Sequence, residues 1–368
     1  LYTDSSGVQN AYDKQVDHYD QVHYQLHYSR SLSKDLHLNA ALHYTKGKGY
    51  YEQYESGEDY AFYGMLPPVI GGVTLTQTDL VRRKWLDNDF YGAIASVKYN
   101  ADKSTAILGG GWNRYDGLHY GRVIWAQYFG ENASGHQWYE GTGVKTDWNV
   151  YGKYYHYLTD QFTTFLDMQV RGVRHVIEGT DANNRDVTSD HDFFFFNPKV
   201  GINYEPKAGH RAFISFARAN REPNRNNYTD APQDRQPVKE TLHDYEAGYS
   251  VAKGKLFAGL TIYFMDYQDQ LVLTGQINEV GYPVMTNVQD SYRAGAEFEF
   301  AAKPFRQLDW NMNFTLSRNQ VRNFTSYIDN WSYWDDPANE PFQVEDQIAK
   351  STLAFSPALI ASNLLTYS

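Results

Sequence analysis

Side chains able to bind or transform a ligand are scattered through this sequence without settling into a catalytic spacing. His23, His27, His37 and His43 would offer neutral imidazoles to a metal. The alternation of their segments instead spreads them over several rungs of two neighbouring strands, so no metal is assigned. Gly109 to Gly111 lacks the Lys-Ser/Thr ending and following helix of a phosphate loop, and is expected to mark a bend or a close approach in a strand. Carboxylates such as Asp335-Asp336 and Glu297/Glu299 have nothing that fixes an acid and a base at the separation hydrolysis needs. Neither an enzyme activity nor a cofactor is expected. The residues best suited to hold a ligand fall in two polar segments. One contains Arg221, Asn224, Arg225, Asn226 and Tyr228, the other Trp331, Tyr333 and Trp334, whose rings can stack on a sugar, a catecholate or a macrocycle.

The elements that must position these residues read as two-faced strands. In QVHYQLHYS, Val22, Tyr24, Leu26 and Tyr28 oppose His23, Gln25, His27 and Ser29; in LHLNAALHYT, the leucines and Tyr44 oppose His37, Asn39 and His43. Downstream, Ala294, Ala296, Phe298 and Phe300 oppose Arg293, Glu297 and Glu299, and Leu308 to Leu316 oppose Asp309, Asn311 and Asn313. Around 149–157 aromatic residues occupy both faces and leave the sides open. The polar face is rich in Asn, Gln, Ser, Thr, His and Gly, which suits a crowded wet interior better than the Lys/Glu surface of a soluble sheet. The apolar face places Tyr28, Tyr44, Tyr99 and Trp310 towards strand ends, where a lipid boundary favours amphipathic rings.

Short polar turns fall near Ser33-Lys34-Asp35, Ala101-Asp102-Lys103, Thr159-Asp160, Pro206 to Gly209, Lys253-Gly254 and Lys303-Pro304, with a seventh at Ser356-Pro357. Long loops rich in Gly, Asp and Asn are expected over 50–80, 116–146, 175–190, 219–240, 270–288 and 321–345. Alternation of tight turns with long loops is the mark of an outer-membrane barrel, and seven turns predict about fourteen antiparallel up-and-down strands without a helix.

Composition agrees. Tyr, Phe and Trp make up 16% of the chain, and the lack of a long apolar run excludes helical spans but not barrel strands. A net charge of −11 argues against a nucleic-acid partner, and the absence of cysteine rules out disulfides and thiolate metal sites. The sequons at Asn132 and Asn323 carry no expectation of glycosylation in a bacterial outer membrane. No leader precedes Leu1 and the sequence stops at Ser368 in mid-strand, so residues 1–368 are expected to be one β-barrel domain fragment.

Two segments resemble TonB-dependent receptors: SFARANREPNRNNYTD (215–230), centred on Arg221 to Arg225, and NVQDSYRAGAEFEF (287–300), with Asn287, Arg293, Gly295 and Glu297. The opening DKQVDHYDQVHYQLHYS also resembles barrel segments of such receptors from Bacteroidetes-like bacteria. The resemblance implies an all-β transmembrane barrel of 22 strands, of which about fourteen are here. It further implies an N-terminal plug domain, expected to be absent from this chain, and energy from TonB through the missing N-terminal region. On that reading the partners are outer-membrane lipid, the plug, TonB and a nutrient chelate, with an iron-siderophore as default cargo. A cobalamin or oligosaccharide receptor, a passive porin and a soluble β-rich binding module are the alternatives.

Overall fold

A computed structural model of the protein describes residues 2–3, 9–10, 12–130, 134–278 and 280–368, so Asn132 and Ala133 of the first sequon lie outside the described residues. Six long hairpins follow one another: β1 (Asp17–Ser31) with β2 (Leu36–Asp59), β3 (Gln77–Ala101) with β4 (Ser104–Ala126), and β5 (His136–Tyr157) with β6 (Phe162–Gly179). Then come β7 (Ser189–Lys207) with β8 (His210–Arg221), β9 (Glu240–Lys253) with β10 (Leu256–Ile277), and β11 (Pro283–Phe305) with β12 (Leu308–Asp329). Each hairpin pairs antiparallel with the next, and β13 (Gln343–Thr352) and β14 (Leu359–Tyr367) complete a sheet of fourteen strands. The fold is therefore the all-β, antiparallel, up-and-down sheet expected. Continuous pairing satisfies the backbone polar groups between neighbouring strands, as hydrocarbon demands of a spanning sheet.

The cross-strand register sorts the faces without ambiguity. Leu42 lies opposite Ala93, Trp112 opposite Trp148, Val170 opposite Phe196, Ile262 opposite Ala296 and Phe298 opposite Phe314, all on one face. Large residues of this face stand open to the surroundings rather than against a second layer: Leu108 is 64% exposed, Phe194 63% and Ile214 61%. The stretch at 149–157 also resolves, with Val150 and Tyr154 on the apolar face and Tyr151, Lys153 and Tyr155 on the other. From Tyr99 to Tyr91 the apolar face of β3 runs about 26 Å at ~3.3 Å per residue. A barrel tilt of roughly 40° makes that about 20 Å across, close to the apolar band of known barrels. Beyond the belt the same face turns polar at once. Lys46 meets Asp89, Arg114 meets Thr146, Arg174 meets Asp192 and Arg218 meets His243.

Three expectations need correction. The expected connections are present at 180–188, 222–239 and 330–342, but 116–146 and 270–288 are mostly strand: β4 and β5 occupy most of the first, only 278–282 separates β10 from β11, and β2 runs on to Asp59. Glycine and polar residues at alternate positions give these strand ends the composition of a loop. Ser356-Pro357 is not a turn between neighbouring strands, because β13 and β14 lie end to end along β12. Gln320 faces Thr352 and Leu316 faces Leu359, so residues 353–358 bulge opposite only 317–319, with Phe355 at a φ of 56° and Leu353 tucked against Val321. Finally, a helix does exist. Asn224 and Asn227 cap each other's backbone around α1 (Arg225–Asp230), and Trp331–Trp334 forms a 3-10 turn. Neither is long enough to show a 3.6 period.

Candidate lumen site at the outer end

The segment 222–239, between β8 and β9, folds inward as a strap over the polar face of β5 to β7. Its anchor is Glu222, which is buried beside Pro223. The Glu222 carboxylate accepts from both terminal nitrogens of Arg171 at 2.8 Å each and from Lys145 Nζ at 2.7 Å. Arg171 also donates through Nε to Asp147 at 2.8 Å. Two turns of charge-assisted bonding from two neighbouring strands thus hold the strap's first residue, and hydrogen bonds to the carboxylate outweigh burial to keep it below its ordinary pKa.

Further along, Tyr228 is 2% exposed and packs with Ile177, Val187 and Phe193. Its ring stacks on His191 at 3.7 Å between centroids and 14° between planes, and meets His175 edge-on. His175 and His191 are direct cross-strand partners. Burial pushes the His175 imidazole down to about 4, with Lys145, His191 and Arg225 adding to the effect, and it raises the Tyr228 phenol. Phe195, beneath the strap, lies between the cations of Arg171 and Lys239.

Beside the strap, the inner face of β2 to β5 forms a lattice of successive rungs. Tyr51 faces Lys84, Lys84 faces Gly121 and Gly121 faces Tyr139; one rung lower, Leu86 faces His119 and His119 faces Gly141. Gly143 follows, and a Cβ there would meet only the Arg225 side chain, 3.7 Å away. Arg225 therefore lies along a wall left bare for it. Lys84 stands 5.9 Å above the Tyr51 ring.

The expected site residues separate under this geometry. Arg225 and Tyr228 turn inward, and Asn224 serves as helix cap. Arg221 is largely exposed and paired with Glu240 at 2.8 Å, and Asn226 is exposed. Trp331 and Trp334 are 81% and 68% exposed, with Tyr333 and Trp334 packed on Phe342. Among the described residues, no hydrogen bond or ring contact joins this aromatic turn to the strap. His23, Gln25 and His27 lie opposite Thr45, His43 and Ala41 on the polar face, where Asn39 and His37 also stand. His23 binds Thr45, His27 binds Gln25 and His37 binds Ser31, so these imidazoles do not converge. Among the described residues no group of three His, Asp or Glu is placed to hold a metal. Arg293 faces Met265, Glu297 faces Thr261 and Thr315, Glu299 faces Asn313, and Asn311 faces Ala301, all on the same polar face. Gly109 is closely approached by the Tyr151 ring from β5.

Lys84, His119, Tyr139, Lys145 and Arg171 were missed by sequence. The available signal was glycine recurring on one face of a strand, two apart in Gly47/Gly49 and Gly141/Gly143 and four apart in Gly117/Gly121.

The pattern of the TonB dependent receptor-like β-barrel family matches residues 1–367. No curated protein matches the chain by sequence. Among solved structures, the chain is similar to the ferric-catecholate import receptor Fiu from E. coli in its closed form, with a TM-score of 0.64 and 12% identity over 96% of this chain and 52% of that one. It is similar to the siderophore receptor PiuA from Acinetobacter baumannii, with a TM-score of 0.65 and 11% identity over 96% of this chain and 53% of that one. The copper transporter OprC follows with a TM-score of 0.63 and 11% identity, over 82% and 46%. At such identities the likeness establishes the fold alone, and the chain spans about half the length of these structures.

Proposed function

Since this chain belongs to the TonB-dependent receptor β-barrel family, we propose that it is the wall of an outer-membrane importer that takes up a scarce nutrient chelate with energy from TonB, an iron-siderophore being the first cargo to test. The observation that carries this reading is the match of residues 1–367 to the receptor barrel family. Glu222 and Tyr228 fix a whole outer connection to the inner wall, beside half-buried cations and phenols. A ligand entering from outside meets that surface first. The plug and the TonB-contacting segment belong to the proposal as the other half of the machine, and the polar faces bearing His43, Glu297 and Asn313 are its lumen.

The test is uptake of radiolabelled iron-siderophores by cells expressing the full-length gene, with and without TonB. Saturable uptake that stops without TonB is the expected result. Uptake of any small solute in proportion to its concentration and independent of TonB is porin behaviour and overturns the reading.

A further inference from the structure

We infer that a hollow on the membrane-facing side of β4 to β7 binds a phosphorylated glycolipid of the outer leaflet, with the lipid phosphate seated between Arg114 and Arg174. The inference needs the apolar face to meet hydrocarbon and is independent of what the lumen carries.

The register builds the site on three successive rungs of the outward face. On the last apolar rung Trp112, Trp148, Gly172 and Phe194 are cross-strand neighbours. The next rung towards the outer end holds Arg114, Thr146, Arg174 and Asp192, and the one beyond it Asp116, Val144, Val176 and Asp190. A hollow of about 750 Å³ opens here, its lining including Arg114, Thr146, Trp148, Gly172, Arg174 and Phe194. Gly172 supplies the floor. A Cβ there would stand 2.3 Å from Trp148 Nε1, so the indole lies against bare backbone and the hollow keeps its depth. Phe194 stands on the other side, its ring centroid 6.3 Å from that of Trp148.

The two arginines are held alike. Asp116 accepts from Arg114 Nε at 3.0 Å and pairs with Nη2 at 2.9 Å, while Asp190 accepts from Arg174 Nε at 3.3 Å and from Nη2 at 2.9 Å. Both carboxylates come from the rung beyond, so each grips one side of its guanidinium and leaves Nη1 without a partner among the described residues. The Thr146 hydroxyl between them is also free among the described residues. Two strand spacings put the arginine Cα atoms about 10 Å apart, close enough for both long side chains to reach one phosphate. A phosphate monoester accepts charge-assisted bonds from two such planar cations and a hydroxyl at once.

The position selects a lipid over a soluble anion. The guanidinia stand one rung, roughly 5 Å of height, beyond the aromatic edge of the belt, at the level of headgroups above hydrocarbon. Below them Trp148 and Phe194 lead onto Val150, Val170 and Phe196 of the next apolar rung, a track for an acyl chain. Asp192 has no ion pair among the described residues and offers an acceptor to sugar hydroxyls.

The experiment uses the full-length receptor in a non-ionic detergent and counts bound lipid by native mass spectrometry. The probes are diphosphorylated lipid A, the same lipid stripped of both phosphates, and inorganic phosphate. One phosphorylated lipid should be retained per receptor, and the phosphate-free lipid should bind at least about tenfold more weakly. Arg114→Gln and Arg174→Gln should each weaken the phosphorylated lipid about tenfold. Gly172→Leu, which drives a side chain into the Trp148 indole without touching a charge, should weaken both lipids. Arg322→Gln, which removes an outward cation on β12 far from the hollow, should change nothing. The mobility shift between folded and heated protein shows that each variant has folded. Equal binding of the phosphate-free lipid, arginine variants that bind like the parent, or an equal loss in Arg322→Gln overturns the inference. Displacement of the lipid by millimolar inorganic phosphate makes the ligand a soluble anion and overturns it too. TonB-dependent uptake is unaffected by either result, so the importer reading stands or falls separately.

Discussion

Glu222 and Arg171 meet as a two-pronged pair, each carboxylate oxygen accepting from one terminal guanidinium nitrogen at 2.8 Å, across 51 residues of sequence. The pair joins a strap residue to the inner wall, so it decides whether the strap lies in the lumen or swings free.

Glu222→Ala is expected to cost about 3 kcal/mol, since it leaves Arg171 and Lys145 facing a buried gap. Trypsin should then cut at Arg235 or Lys239 faster than in the parent, with the barrel's resistance to detergent unchanged. Glu222→Gln, which keeps an acceptor for Arg171 and Lys145, should lose less of the protection. Equal cutting rates in parent and Glu222→Ala would show that the pair does not hold the strap.

Tyr228 separates packing from hydrogen bonding. Its ring fills the space against His191, Ile177 and Val187, whereas its hydroxyl is buried without a partner among the described residues. Tyr228→Ala should therefore destabilise the strap by about 3 to 4 kcal/mol, as expected for a large aromatic removed from a packed site. Tyr228→Phe should change hydrogen-exchange protection of residues 225–230 little or raise it. A Phe variant as damaging as Ala would mean that the hydroxyl does have a partner.

How much of this was legible in the residues depends on period. Val22 to Tyr28 and Leu308 to Leu316 alternate apolar with polar, and the faces follow directly because opposite registry preserves side. Beyond the apolar belt the same face turns charged, as at Lys46 and Asp89, so hydrophobic alternation vanishes although the strand continues. Only the alternate glycines persist there. The strap was legible as chemistry, in Arg225 and Tyr228, but not as geometry: its partners Arg171 and Lys145 lie two and three strands away, and no local signal points from Glu222 to them. Nor could alternation reveal that β13 and β14 share one edge, because a bulge of residues 353–358 looks like a turn until the register with β12 is known.

Acid should loosen the strap. The His175 imidazole sits at about 4 in the fold, below the value near 6.5 of an exposed histidine. Lys145, His191 and Arg225 oppose its protonation and Glu222 favours it. With the strap released His175 binds the proton more readily, so the contribution is intact above about pH 6.5 and is lost progressively as pH falls from there towards 4. Proteolysis at Arg235 followed from pH 7.5 to 4.5 with an acid-tolerant protease should accelerate across that window, and His175→Gln should flatten the response. A parent response as flat as the variant's removes His175 from the account.

Thr261 and Ile262 are neighbours in β10 with opposite surroundings. Ile262 faces Ala247 and Ala296 on the apolar side and is 53% exposed, while Thr261 faces Gly248 and Glu297 on the polar side. Ile262→Arg places a guanidinium against hydrocarbon near the middle of the belt and should cost about 2 to 4 kcal/mol of folding into lipid. Thr261→Arg puts the same group beside Glu297 in a wet interior and should cost under about 1 kcal/mol. The comparison removes composition from the question, because one residue type is moved by a single position and only the face changes. Refolding into lipid vesicles, read by the mobility shift between folded and heated protein, measures both. If the two variants fold equally well, the exposed apolar face of this sheet is not a lipid face.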